Sequence, residues 1–100
     1  MAIRLKSYPF DGPFDTTGPL QSQSGVYVIL GKRLMDTQYR VLDIGESRNL
    51  RDRVENHERV LCWRGHQLPL YVAVYCCNEA TRMKIEQELR DWFNPPCGKH

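Results

Sequence analysis

The stretch from residue 39 to residue 59 constrains the fold more than any other part of this 100-residue chain. It begins with a short apolar segment that ends at Ile44 and is typical of a β-strand, and Gly45 then interrupts that pattern. Asn49 is placed to cap a helix that follows. Apolar residues recur in that helix at helical spacing: Leu50, Val54 and Leu61. The stretch therefore predicts a strand, a glycine turn and an amphipathic helix.

Two polar residues of chemical interest stand beside that apolar stripe. Arg53 and His57 are four residues apart, so on a continuous helix they share one face. A guanidinium matches the oxygen geometry of a phosphate, and an imidazole changes its charge near neutral pH. The pair therefore predicts a surface that binds a phosphate group and can act on it.

The remaining elements predict a β-β-α-β-α order. Apolar runs at Gly25–Gly31 and at residues 70–77 predict two more strands, and an antiparallel hairpin is the simplest link from the first run to residues 39–44. Asn78 can cap a last helix, which must end before Pro95. The expected fold class is α+β, with a three-stranded antiparallel sheet flanked by helices.

Residues 1–24 predict an irregular N-terminal arm that packs on the core. Turn-forming residues are frequent in this segment: Pro9, Gly12, Pro13, Gly18 and Pro19. Apolar side chains among them offer surface for packing: Ile3, Leu5, Tyr8, Phe10 and Phe14. We therefore expect residues 25–100 to form the domain proper.

The charge and length of the chain indicate which classes of function are less expected. The chain has 14 Lys and Arg against 12 Asp and Glu, a net charge of +2, which gives no electrostatic basis for strong non-specific nucleic-acid binding. One hundred residues suffice for a single domain. No segment resembles a signal peptide or the ~20-residue apolar run of a membrane span, so we expect a cytoplasmic location and no membrane partner.

The chain has four cysteines: Cys62, Cys76, Cys77 and Cys97. No two of them form a CxxC motif, and the adjacent pair cannot easily bridge to itself. Reduced thiols are therefore the expectation. A zinc site stays open as an alternative, although its spacings match no standard zinc finger. Its candidate ligands are Cys62, His66, Cys97 and His100.

Several spaced residues resemble the signature of GIY-YIG nuclease domains. GVY at residues 25–27 and DIG at residues 43–45 stand where that family has its two tripeptides. Arg53 follows the glycine of the second tripeptide by eight residues, and His57 stands four residues later, where the family often has His or Tyr. Glu86 precedes a proline by nine residues, as a glutamate of the last helix does in the family.

The resemblance implies a metal-dependent endonuclease that hydrolyses phosphodiester bonds in nucleic acid, with DNA favoured over RNA and the choice between them open. Glu86 would anchor a divalent metal, Mg²⁺ or Mn²⁺, and Arg53 would contact the scissile phosphate. Tyr27 and His57 would assist the attacking water. Because 100 residues leave no room for a separate DNA-reading domain, a protein partner could supply recognition.

Two positions depart from the family pattern. Asp43 replaces the tyrosine of the second tripeptide, and Gly98 stands where an asparagine is expected. Asp43 could be a second metal ligand or a general base, because a carboxylate is ionised at pH 7 and a phenol is not. Asp43 and Glu46 also add negative charge where a phosphate must come. The alternative function is therefore a catalytically silent nucleic-acid or protein-binding module.

Overall fold

The computed structural model describes residues 2–98 and shows an α+β domain with one antiparallel sheet and three helices. The strands are β1 (Ala2–Leu5), β2 (Tyr8–Phe14), β3 (Gly25–Gly31), β4 (Arg40–Ser47) and β5 (Leu70–Cys76). The helices are α1 (Leu50–Glu55), α2 (Val60–Gly65) and α3 (Glu79–Phe93). Within these residues, no helix combines the length and apolar character needed to cross a membrane.

The sheet runs in the order β1-β2-β5-β3-β4, and every neighbouring pair is antiparallel. β3 lies between β5 and β4, so that Tyr27 is directly opposite Val74 on one side and Gly45 on the other. This confirms the predicted antiparallel sheet of β3, β4 and β5. The prediction of only three strands was wrong, because β1 and β2 extend the sheet beyond β5.

The N-terminal segment, residues 1–24, was predicted to be irregular, and the structure corrects this. β1 and β2 form an antiparallel hairpin, and Phe10 is fully buried in the core. The pairing of β2 with β5 shifts register where Gly12 and Pro13 lie, and such an irregularity is where a strand tolerates a proline. Of residues 2–24, the hairpin turn at residues 6–7 and the segment 15–24 lie outside the strands.

The sheet buries apolar side chains on both faces. The face that carries α1 and α2 includes Tyr27, Ile29, Leu50, Val54, Trp63 and Val72. The face that carries α3 includes Val26, Val28, Ile44, Ile85 and Leu89. Successive residues of a strand point to opposite faces. β3 therefore supplies both cores, which is why all 7 of its residues are buried.

The helix predicted after the glycine turn begins as expected but is short. The Asn49 side chain caps α1 by accepting a hydrogen bond from the Asp52 N–H at 3.1 Å. The helix then ends after one and a half turns, where the Asn56 side-chain amide donates to the Asp52 carbonyl at 3.1 Å. Residues 56–59 separate α1 from α2. The prediction of one continuous helix was therefore wrong.

This break changes the surroundings of several predicted residues. His57 lies in the connection and not on a helix with Arg53. Leu61 is 75% exposed and does not belong to the apolar stripe. α2 extends to Gly65. This second helix buries Trp63, which gives the core a large aromatic side chain.

α3 begins and ends as predicted. The Asn78 side chain accepts a hydrogen bond from the Thr81 N–H at 2.9 Å, which caps the first turn. The helix ends at Phe93, and Asn94 adopts the left-handed conformation with φ of 48°. The two prolines that follow exclude a further helical turn.

β4 is an edge strand, and the two helical layers meet along its edge. The Cys97 N–H, in the segment after α3, donates to the Leu42 carbonyl at 2.9 Å. Arg90 of α3 reaches the same edge and donates to the Ile44 carbonyl. Side chains from α3 and from α2 can therefore meet at β4, and this edge positions the candidate site.

A first prediction concerns the glycine opposite Tyr27. A methyl group at Gly45 would overlap the Tyr27 ring and hydroxyl. We expect Gly45→Ala to lower the free energy of unfolding by about 2–3 kcal/mol in urea denaturation, because the core is already filled. Gly65→Ala is the matched control, since its methyl would meet no atom within 4 Å. The control should be neutral or stabilising by up to about 1 kcal/mol. Equal losses in the two variants would contradict the packing argument.

Candidate active site

Tyr27 and His57 meet beside the β3–β4 pair. The Tyr27 Oη lies 2.5 Å from His57 Nε2, and the two side chains are almost fully buried. The Tyr27 ring occupies the space left by the missing side chain of Gly45. The glycine of the second tripeptide is therefore required by the tyrosine of the first.

The hydrogen bonds around His57 show which of its ring nitrogens carries the hydrogen. The backbone N–H of Arg59 donates to Nδ1 at 3.0 Å, so a neutral ring carries its hydrogen on Nε2. Nε2–H consequently donates to Tyr27 Oη, and the phenol proton is directed elsewhere. Burial lowers the pKa of His57, and the positive charges of Arg53 and Arg59 act in the same direction. The imidazole is therefore neutral at pH 7.

The Tyr27 hydroxyl is held in its protonated form. Burial of the ring is the main cause that raises the pKa of Tyr27 to about 12, and the negative charge of Asp43 adds to it. The positive charges of Arg59 and Arg53 lower the pKa. The site at neutral pH thus contains a neutral phenol, a neutral imidazole and a guanidinium.

Arg53 faces solvent with a carboxylate partner. Its Nη1 and Nη2 donate to the two oxygens of Glu58 at 2.6 and 2.9 Å. That contact is the main reason why the pKa of Glu58 falls to about 2. Because the Glu58 side chain is 63% exposed, the ion pair contributes little to stability. A guanidinium binds phosphate in this same bidentate geometry.

Asp43 is fully buried at the centre of a second cluster. Its Oδ2 accepts from Arg59 Nε and from Trp63 Nε1, each at 2.8 Å. Its Oδ1 accepts from Arg90 Nη2 at 3.0 Å and from the Ile44 N–H at 2.8 Å. Donors from β4, from α3 and from the chain around α2 therefore converge on one carboxylate.

Asp43 was expected to be a metal ligand or a general base, and this geometry argues against the two roles. Both carboxylate oxygens are directed at protein donors inside the core, so neither is open to a cation or to substrate. Asp43 is instead paired with Arg59 and Arg90. Glu46, the other carboxylate of concern, is paired with Arg82 at 2.6 Å. The extra negative charge is thus compensated within the protein.

Glu86 lies on α3 at the rim of this cluster. Its Oε2 accepts from Arg90 Nε at 3.0 Å, and its side chain is 23% exposed. Among residues 2–98, its Oε1 accepts no hydrogen bond. Glu86 borders an open cleft of about 340 Å³ that Asp91 and Gly98 also line. One carboxylate with an open oxygen fits Mg²⁺, which is commonly held by one or two carboxylates and keeps several waters.

The five predicted site residues thus form two linked groups. Tyr27 and His57 are in direct contact, and the positive charge of Arg53 acts on both. Glu86 joins them only through a chain of contacts, in which Arg90 binds Asp43 and Asp43 binds Arg59. The sequence did not indicate Arg59 and Arg90 as partners of Asp43. A buried aspartate requires cationic partners, so known burial of Asp43 would have indicated that such partners exist. That burial depends on tertiary structure and could not be inferred from the sequence.

Cys62 and Cys97 form a disulfide, with Cα atoms 5.9 Å apart. The expectation that all four cysteines are reduced was therefore wrong, since only Cys76 and Cys77 are free. The bridge joins α2 to the segment after α3. Because the two cysteines are 35 residues apart in sequence, no local pattern indicated that they lie close together. Disulfides persist mainly in oxidising compartments. The disulfide therefore does not support the expected cytoplasmic location, which stays a prediction. His100, a predicted zinc ligand, lies outside the described residues.

Comparisons of the chain with protein-family models, with curated proteins and with solved structures give no match. The arrangement of the side chains is therefore what supports a function. Two features matter most: the contact between Tyr27 and His57 beside Arg53, and the partly open carboxylate of Glu86.

A second prediction concerns the buried carboxylate. Asp43→Asn would turn an amide N–H toward the guanidinium and indole donors that now meet an anion. We expect the free energy of unfolding in urea to fall by about 3 kcal/mol, because two cations lose their buried partner. Asp15→Asn, at an exposed position, is the control and should change stability by less than about 0.5 kcal/mol. Wild-type stability in Asp43→Asn would refute the structural role.

Proposed function

We propose that this chain is a metal-dependent endonuclease of the GIY-YIG type, which hydrolyses phosphodiester bonds in nucleic acid, with DNA as the expected substrate. The observation that carries the proposal is the convergence of Tyr27, His57 and Arg53. A proton acceptor and a phosphate-binding cation are the two groups that hydrolysis of a phosphodiester needs from the protein. The three residues come from β3, α1 and the connection after it, so no single local element brings them together.

Tyr27 is the proposed base for the attacking water. As a phenolate, Oη accepts the water proton while His57 Nε2–H and Arg53 stabilise its negative charge. The phenolate is scarce at pH 7 because the pKa of Tyr27 is about 12. His57 acts as a hydrogen-bond donor that orients and stabilises Oη, since the Arg59 N–H holds its Nδ1 as an acceptor.

Arg53 is the proposed contact for the scissile phosphate. The two oxygens of Glu58 now occupy its donors, in the geometry that two phosphate oxygens adopt. Because Glu58 is largely exposed, its displacement by a phosphate costs little buried surface. The released guanidinium then lies where negative charge increases in the transition state.

Glu86 is the proposed metal ligand. A divalent cation, Mg²⁺ or Mn²⁺, would supply Lewis-acid stabilisation of charge on the phosphate. Asp43 is excluded from the ligand set because its oxygens are taken by buried donors. Arg90, which binds Asp43 and Glu86 alike, orients the Glu86 carboxylate toward the open cleft.

A second candidate is a catalytically silent module that binds nucleic acid or a protein partner. The observation that favours it is that Arg53 and Glu86 are each paired with a protein group. If those ion pairs persist on binding, the phosphate reaches neither residue. The compensated charge of Asp43 supports the enzyme instead, because the residue that departs from the family pattern then adds no net repulsion at the site.

Cleavage assays on duplex, branched and single-stranded DNA, and on RNA, with Mg²⁺ or Mn²⁺ distinguish the two candidates. We expect Arg53→Ala to reduce the rate by about 10²–10³-fold, because it removes a charged donor at the developing charge. Glu86→Ala should abolish metal-dependent cleavage. Glu88→Ala is the matched control on the same helix, since Glu88 contacts Lys6 and Tyr8 at the β1–β2 hairpin, and it should cleave at nearly the wild-type rate.

The pH profile identifies the base. A Tyr27 pKa of about 12 means that the phenolate fraction rises about tenfold per pH unit above neutrality, so the wild-type rate should rise with pH. Tyr27→Phe should lose the activity, and any residual rate should not show this pH dependence. Wild-type protein that cleaves none of the substrates and binds neither metal would defeat the enzyme proposal and leave the binding module.

A further inference from the structure

Three metal-ligating side chains that are not among the proposed catalytic groups lie together. Cys62 Sγ, Cys97 Sγ and a ring nitrogen of His66 all lie within 4.8 Å of one another. Cys62 and His66 are four residues apart along α2 and its C-cap, so they share a face of the helix. Cys97 is held opposite them by the hydrogen bond of its N–H to the Leu42 carbonyl.

The size and chemistry of this cluster match zinc. Two ligands of one zinc ion lie less than about 4.6 Å apart, because Zn–S and Zn–N bonds are about 2.3 and 2.0–2.1 Å long. The His66 ring nitrogen already lies within 4.8 Å of both sulfurs, whereas the two sulfurs, which are bonded at 2.08 Å in the disulfide, must move apart after reduction. Thiolate and imidazole ligands select zinc over Mg²⁺, which prefers oxygen. This site is thus distinct from the Glu86 site in its ligands and in its metal.

We propose that, when the disulfide is reduced, Cys62, His66 and Cys97 form a zinc site that replaces the covalent bridge. A dithiol reductant supplies two electrons and two protons, which convert the S–S bond into two thiols, and the dithiol becomes a disulfide. Zn²⁺ then binds the two sulfurs as thiolates, and their two protons pass to solvent. His66 donates the lone pair of a neutral ring nitrogen.

Burial and charge explain why the reduced cluster takes a cation. Cys97 is fully buried, and a buried charge is costly unless it is paired. Two thiolates and one Zn²⁺ have no net charge, so the complex places no uncompensated charge in the protein. Three protein ligands leave one coordination position of a tetrahedral zinc for a further donor.

The cross-link also bears on the Asp43 cluster. Gly98, next to Cys97, accepts a hydrogen bond from Arg90 Nη1 at 3.1 Å. A methyl group at Gly98 would press on the guanidinium groups of Arg59 and Arg90. Either the disulfide or zinc therefore holds the segment after α3 against the two cations that pair with Asp43. Zinc would keep this support under reducing conditions.

Cobalt titration of the full chain tests the proposal. The protein is reduced with dithiothreitol, which is then removed under nitrogen because it competes for metal. We expect one equivalent of Co²⁺ to bind with a thiolate-to-cobalt absorption band and Zn²⁺ to displace it. Oxidised protein should show no such band. His66→Ala should weaken metal binding by on the order of tenfold or more, since loss of even an outer-shell partner costs that much.

Controls separate ligand loss from misfolding. His66→Ala leaves the disulfide intact, so its oxidised form can be compared with wild type by amide NMR spectra. Cys62→Ser should lose the band, whereas the double variant Cys76→Ser with Cys77→Ser should keep it. Reduced wild-type protein without a thiolate-to-cobalt band would overturn the proposal. A band that survives Cys62→Ser, or one that disappears with the Cys76 and Cys77 substitutions, would overturn it equally.

Discussion

The buried carboxylate of Asp43 is the interaction on which the other parts of the site depend. An unpaired charge at this depth would cost several kcal/mol, and the cost is offset by the donors that Arg59, Arg90 and Trp63 direct at it. These donors tie α3 and the chain around α2 to the β4 edge. Through Arg59, whose N–H binds His57 Nδ1, and through Arg90, which binds Glu86, the same carboxylate orients both proposed reactive groups.

The arginines of the site consequently have two kinds of role: some stabilise the fold, and one is available for substrate. Arg59 and Arg90 are committed to Asp43 and are mostly buried. Arg53 is paired with a largely exposed carboxylate, and its positive charge acts on the Tyr27 hydroxyl. A guanidinium that exchanges partners at low cost is suited to substrate, whereas one fixed in the core is suited to support. This division gives Asp43 a physical reason to stand where the resembled family has a tyrosine, without placing a repulsive charge near the phosphate.

Local sequence patterns predicted those features that depend on local physics. The strands β3, β4 and β5 and the caps at Asn49 and Asn78 follow from periodicity and side-chain hydrogen bonding. The β1–β2 hairpin was missed because its prolines and glycines favour turns, and pairing with β5 overrides that preference. The Asp43 network and the disulfide join residues 16 to 47 positions apart. No local pattern reports such contacts, so burial and partner could be known only from the folded chain.

The central claim is that Arg53, and neither Arg59 nor Arg90, meets the substrate phosphate. Arginine Nε–Hε NMR signals during titration with a short DNA duplex, without divalent metal so that no cleavage occurs, test it directly. The account predicts a progressive shift of the Arg53 signal as phosphate displaces Glu58, while the signals of Arg59 and Arg90 stay unchanged. A shift of Arg59 or Arg90 with a static Arg53 would mean that the Asp43 cluster itself opens to nucleic acid, and would contradict the account.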